Sequence, residues 1–158
     1  MQWEILNSTK KYQIGLFGRG WGKTFLALEI LRKYKDAVYV APDYGMMQSA
    51  KRQFEAPVKE RFQTPNANKH FLNGFVILDE TAFMHTEFVL DVFSRAERVI
   101  CLSTPKYQDW YNKFFLANLF NSDAECYWQT SYENPMLEGS LGLMSGNAYE
   151  NEILAWLS

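Results

Sequence analysis

Residues that staple or metallate a small fold are scarce in this sequence. Two cysteines, Cys101 and Cys126, and two histidines, His70 and His85, occur in 158 residues. Both cysteines lie in apolar runs without C-x-x-C spacing, so they read as buried reduced thiols rather than a disulfide framework. Lone histidines cannot assemble a zinc site by spacing. Long apolar runs are missing too. The opening MQWEILNSTKKYQ has no signal-peptide stretch, and no segment approaches membrane-spanning length. Neither charge is in large excess: the formal net charge is −2, so the total shows no general electrostatic grip on nucleic acid and leaves room for a local basic patch. These absences point to a soluble cytoplasmic chain. What is abundant is apolar and aromatic residues, 47% and 16%, enough for a globular core and not the mark of a disordered chain.

Short apolar runs alternate with helix-like segments. QIGLF (13–17), AVYVA (37–41), GFVILDE (74–80), RVICLS (98–103) and ECYWQTS (125–131) are continuous runs, the pattern of strands covered on both faces. Helices are expected at about 24–35, 44–62, 86–97 and 107–120, the second bent or broken at Pro57. Phe88, Val89, Val92, Phe93 and Ala96 form one stripe at helical spacing, and Tyr107, Trp110, Tyr111, Phe114 and Phe115 another; both are read as core. The alternation predicts an α/β fold, a three-layer sandwich around a mainly parallel five-stranded sheet. The segment 63–74 is the polar loop inside this domain. Residues 1–131 are read as the core, and 132–158 as a Gly/Ser/Asn-rich connector with a short helix packed on it.

Glycine is concentrated at one place. GLFGRGWGKTFLALEI, residues 15–30, carries four glycines in its first eight residues and then turns into a helix. Such a turn lets backbone N–H groups approach an anion, and the helix start adds partial positive charge. The phosphate-loop pattern G-x-x-x-x-G-K-[ST] is met except at its first position, where Phe17 stands. Lys23 is placed to reach β- and γ-phosphates and Thr24 to ligate Mg²⁺. FVILDE then delivers Asp79 and Glu80 at the C-terminal end of a buried strand, where ligands bind in open α/β sheets. Asp79 suits Mg²⁺, directly or through water, and Glu80 suits polarisation of an attacking water. In RVICLSTPK another buried strand ends at Ser103 and Thr104, two hydroxyls beside the γ-phosphate position if this strand neighbours the other two. The three motifs predict a P-loop NTPase of the ASCE or RecA-like type that hydrolyses ATP with Mg²⁺.

GRGWGKT, VYVAPDYGMMQSAKRQF, FVILDETAFM, CLSTP, YENPML and YENEILAWL occur in that order over residues 13–157. This series resembles the ATPase domain of the phage terminase large subunit, the motor that packages DNA. The resemblance implies translocation of double-stranded DNA and nucleotide contact along Gly18, Arg19, Gly20, Trp21, Gly22, Lys23, Thr24 and Phe25. It makes Glu80 the catalytic carboxylate, Asp79 the organiser of Mg²⁺, and Arg19 a finger acting in cis on the γ-phosphate. Ser103 and Thr104 would couple hydrolysis to movement. An adenine contact is implied between Gln2 and Gln13, with Trp3 or Tyr12 as stacking candidates.

The family usually continues into a nuclease domain and carries more sequence before the Asp-Glu strand. A compact packaging ATPase without cleavage activity is therefore expected, with an excised domain as the alternative. Partners implied by the resemblance are further copies in a homo-oligomeric ring, a capsid portal, and a small terminase subunit or separate nuclease, in the host cytoplasm if the chain is viral. Lys51, Arg52, Lys59, Arg61 and Lys69 are candidates for DNA contact, and Arg95 and Arg98 for reaching a neighbour's γ-phosphate. Two other readings stand beside this one: a helicase-like ATPase, and a nucleotide-binding assembly module with little turnover, for which Phe17 is the mark.

Overall fold

Six parallel strands form the sheet of the computed structural model, which describes residues 1–55, 59–66, 69–105 and 109–129. They are β1 (Tyr12–Phe17), β2 (Val38–Val40), β3 (Phe62–Gln63), β4 (Phe75–Asp79), β5 (Arg98–Ser103) and β6 (Ala124–Gln129), in the spatial order β3-β2-β4-β5-β1-β6. Helices α1 (Gln2–Asn7), α2 (Lys23–Lys33), α3 (Tyr44–Arg52), α4 (Thr86–Arg95) and α5 (Trp110–Asn118) surround it. Short 3-10 turns occupy 59–61, 69–72 and 81–83. Among the described residues, no helix is long and apolar enough to cross a membrane.

The strands are apolar at successive positions because successive side chains enter different cores. Phe17, Ile77, Ile100 and Leu102 join Ile5, Leu28, Leu31, Met47 and Ala50 from α1, α2 and α3. Ile14, Leu16, Val76, Leu78, Val99 and Cys101 join Val89, Val92, Tyr111 and Phe115 from α4 and α5 on the other face. This is the expected three-layer α/β arrangement, with one strand more than the five expected.

The extra strand, β3, straddles the end of the segment read as helix 44–62 and the start of the loop 63–74. That helix starts where expected, because the Asp43 carboxylate accepts from Met46 N at 2.9 Å, but it stops at Arg52. Phe62 is then buried against the rings of Tyr39 and Phe54, at 5.9 and 5.5 Å between centroids. A strand of two residues has no readable period. Helix α1 was not anticipated either: it buries only Ile5, and is tied down by Lys33, whose ammonium donates to Leu6 O and Asn7 Oδ1. Both cysteines are free, but only Cys101 is buried; Cys126 is half-buried. Pro57, Tyr107 and the connector 132–158 lie outside the described residues.

Gly15 is fixed by close approach. A Cβ there would stand 2.3 Å from Cε2 of Phe17, whose ring folds back over it. Phe17 in turn stacks on Trp21 with centroids 3.8 Å apart, and the buried Tyr111 hydroxyl donates to Gly15 O at 2.8 Å. Gly15→Ala is expected to overpack this stack and destabilise the chain by about 1–3 kcal/mol. The measurement is a lower denaturant midpoint at unchanged m-value.

Candidate nucleotide site

After Phe17 the chain turns through residues 18–22 and enters α2 at Lys23. Gly20 and Gly22 take φ of 70° and 98°, and Gly22 is the N-cap of α2. A side chain at Gly22 would be strained in this left-handed conformation and would also meet Gln2 Nε2 at 3.1 Å. The first N–H groups of α2 have no intrahelical partner, and the helix dipole makes that end positive, as an anion requires. The turn is held from outside itself. Gly18 N donates to Gln129 O at 3.0 Å, Trp21 Nε1 to Gln129 Oε1 at 2.6 Å, and Gln2 Nε2 to Trp21 O at 3.1 Å.

The residues expected along the nucleotide path are not equivalent here. Gly18 is buried, Arg19 and Gly20 are exposed on the turn, and Gly22 is partly exposed. The Trp21 indole is in the core, so only its backbone can face a ligand. The Phe25 ring is 60% exposed on α2. Phe17, standing where the phosphate-loop pattern has glycine, also sends its ring into the core.

Sheet order explains which motifs meet. β5 lies between β1 and β4, so the C-terminal ends of these three strands carry the glycine turn, Ser103-Thr104 and Asp79-Glu80 side by side. Lys23 is almost fully buried; its ammonium donates to Gly18 O at 3.1 Å and lies 3.4 Å from Glu80 Oε1. Thr24 Oγ1 and the Tyr39 hydroxyl each donate to Asp79 Oδ2 at 2.7 Å, and Glu80 N donates to Asp79 Oδ1 at 3.0 Å. Thr104 donates to Glu80 from its hydroxyl at 3.2 Å and its N–H at 3.4 Å.

Burial raises the Asp79 carboxyl above its ordinary range, against the opposing hydrogen bonds from Thr24 and Tyr39 and the charge of Lys23. Burial, then the Asp79 charge, pushes the Tyr39 hydroxyl far above its usual value. Glu80 takes φ 48° and ψ 50°, and is the non-glycine residue with positive φ among the described residues. That conformation costs about 1–2 kcal/mol and re-aims the side chain at the end of β4. Ser103 is fully buried, and its hydroxyl accepts from Ala82 N at 3.0 Å. It therefore braces the 81–83 turn behind Glu80, whereas Thr104 touches Glu80 itself.

The donor set fits a hard cation: Thr24 Oγ1 and the Asp79 carboxylate offer oxygens of the kind Mg²⁺ prefers, directly or through water. Among the described residues, no cluster of three or more His, Cys, Asp or Glu side chains could hold an ion unaided. The site thus suits a cation that arrives with water and phosphate oxygens as its remaining ligands.

Several expected residues lie elsewhere. Arg98 opens β5, at the sheet edge opposite the glycine turn; it donates to Ser8 O and to Gln13 Oε1, and covers the Phe75 ring at 4.4 Å. Arg95 ends α4 at the same far edge and pairs with Asp91 at 3.1 Å. Neither is near the C-terminal layer where both were expected. Tyr12 begins β1, stacks on Phe93 and donates to Phe93 O, again far from the turn. Trp3 is exposed on α1. Arg61 donates to Ala37 O, Leu31 O and Tyr34 O, closing the end of α2 rather than presenting a free charge. Lys51 and Arg52 occupy the last turn of α3, and Lys59 and Lys69 begin 3-10 turns. Gln2 and Tyr39 went unread: a terminal glutamine and a strand tyrosine carry no spacing signal for the contacts they make.

No family model and no curated protein matches the sequence. Solved structures do match. A Thermus phage large terminase ATPase domain superposes with TM-score 0.69 at 18% identity, over 96% of this chain and 90% of that one. A Phi-28 DNA packaging motor gives TM-score 0.54 at 12% identity, over 100% of this chain and 68% of that one. The Pyrococcus furiosus Hef helicase domain gives 0.55 at 14%, over 82% of this chain and 37% of that one. The fold of this chain is that of phage large terminase ATPase domains, and the helicase domain shares it.

Proposed function

We propose that the chain is an ATP-hydrolysing, Mg²⁺-dependent motor domain of the DNA-packaging type that acts on double-stranded DNA. One observation carries the reading: Lys23 and Thr24 at the start of α2 meet Glu80 and Asp79 at the end of β4, at 3.4 and 2.7 Å. Lys23 and the N–H groups at the start of α2, from Gly22 to Phe25, bind the phosphates, with Gly18, Arg19, Gly20 and Trp21 shaping the turn around them. Arg19, exposed on the turn, swings onto the γ-phosphate. Thr24 would hold the cation and Asp79 would organise it, directly or through water; when bound it neutralises charge on the phosphate oxygens. Glu80 orients the attacking water once Lys23 transfers from its carboxylate to phosphate. Thr104, bonded to Glu80, passes the change along β5, with Ser103 anchoring the adjoining turn.

Phe17 offers no support for a binding module without turnover, because its ring is a core element. With net charge −2, a single copy holds duplex poorly, since affinity comes from lysine and arginine neutralising phosphates. A ring of copies on a capsid portal lets several weak contacts act together, and Lys51 and Arg52 remain the candidates for those contacts. ATPase turnover is to be measured with and without double-stranded DNA across protein concentration. Turnover that rises with DNA and concentration supports the motor. Full, concentration-independent turnover without DNA response defeats it. The Hef likeness favours a second reading, a helicase-like ATPase, which would instead separate strands in an unwinding assay.

A further inference from the structure

We infer that Tyr39 is a positioning residue for the cation site, holding Asp79 behind Thr24 instead of leaving it open to the metal. The inference rests on the nucleotide-site reading above. Tyr39 lies in β2, where it pairs with Ile77 of β4, so Asp79 is its diagonal neighbour two residues on. Long aromatic side chains reach that distance. The ring is 1% exposed and packs near Phe62, and a phenylalanine would fill the same space. The hydroxyl is what needs explaining, because a buried hydroxyl is costly unless it is bonded.

Its bond is to the oxygen that Thr24 also uses. Asp79 Oδ2 accepts 2.7 Å hydrogen bonds from both Tyr39 and Thr24, while Oδ1 accepts from Glu80 N. Two hydroxyl donors occupy the lone pairs of Oδ2, so that oxygen is not a bare ligand. Thr24, donating its hydroxyl hydrogen bond to Asp79, keeps its own lone pairs for a cation. Tyr39 therefore fixes the carboxylate that orients the Thr24 hydroxyl, an outer-sphere arrangement whose removal typically costs 10–100-fold in metal affinity.

The test titrates Mg²⁺ against binding of a fluorescent ATP analogue to the full chain. Tyr39→Phe is expected to raise the Mg²⁺ midpoint about tenfold, with binding in EDTA and the circular dichroism spectrum unchanged. In an Asp79→Asn background the same substitution should add less than about a twofold shift, because Tyr39 acts through Asp79. An unchanged midpoint overturns the inference, as does an equal shift in both backgrounds. Loss of the folded spectrum or of binding in EDTA also overturns it, by assigning the hydroxyl to the core. Absence of wild-type analogue binding defeats the nucleotide-site reading itself, and wild-type binding with no Mg²⁺ dependence overturns the cation site and this inference with it.

Discussion

Lys23→Ala is expected to fold normally and to lose nucleotide hydrolysis by about 10²–10³-fold or more, the scale seen when one preorganised donor is removed from a developing charge. Lys23 is the first residue of α2, and almost all of its side chain is buried. Its ammonium is held between Gly18 O and Glu80, so the charge sits at the mouth of the turn before any ligand arrives. A transferred phosphoryl group would take over that charge, and alanine leaves nothing in its place. Arginine should not rescue, since a longer planar fork does not fit a site shaped for a compact ammonium. Phosphate release and circular dichroism on the same samples decide the matter. A folded Lys23→Ala chain with near wild-type turnover would sink the phosphate assignment.

Glu80→Gln should behave differently: nucleotide and Mg²⁺ still bind, but hydrolysis falls by about 10²–10⁴-fold, the usual contribution of a positioned acid or base. The amide has the shape of the carboxylate and still offers Thr104 an acceptor, so the left-handed turn at the end of β4 is retained. What it lacks is the charge that pairs with Lys23 and the basicity that polarises water. Equilibrium binding separated from single-turnover hydrolysis distinguishes the two properties. If Glu80→Gln loses binding along with turnover, the residue holds the site together and does not act on water.

The fold was legible where local and global signals agree. FVILDE reads as a buried strand because both faces of β4 are covered, and the apolar run breaks off at the sheet edge where Asp79 is needed. The glycine turn was readable despite Phe17, whose ring the core absorbs. Features set by tertiary contact were not readable. β3 is two residues long, and α1 buries one apolar side chain. Arg61 looks like a surface charge in sequence until its three carbonyl partners, from segments 24 to 30 positions away, are in view. The placement of Arg98 was recoverable: in a parallel sheet, a residue that opens β5 lies at the end opposite the turn that follows β1. The Asp79–Glu80 edge needed only periodicity, whereas the Tyr39–Asp79 bond depends on register between β2 and β4.

β1 is paired on one side with β5 and on the other with β6, the last strand of the described chain. The glycine turn also rests directly on Gln129, through Gly18 N and the Trp21 indole. The turn is therefore made well ahead of one of its supports, since Trp21 and Gln129 are 108 positions apart in sequence. Contacts this distant in sequence are slow to close, because the intervening loop entropy is lost before they form. A chain that stops short of Gln129 lacks both of these braces on the turn.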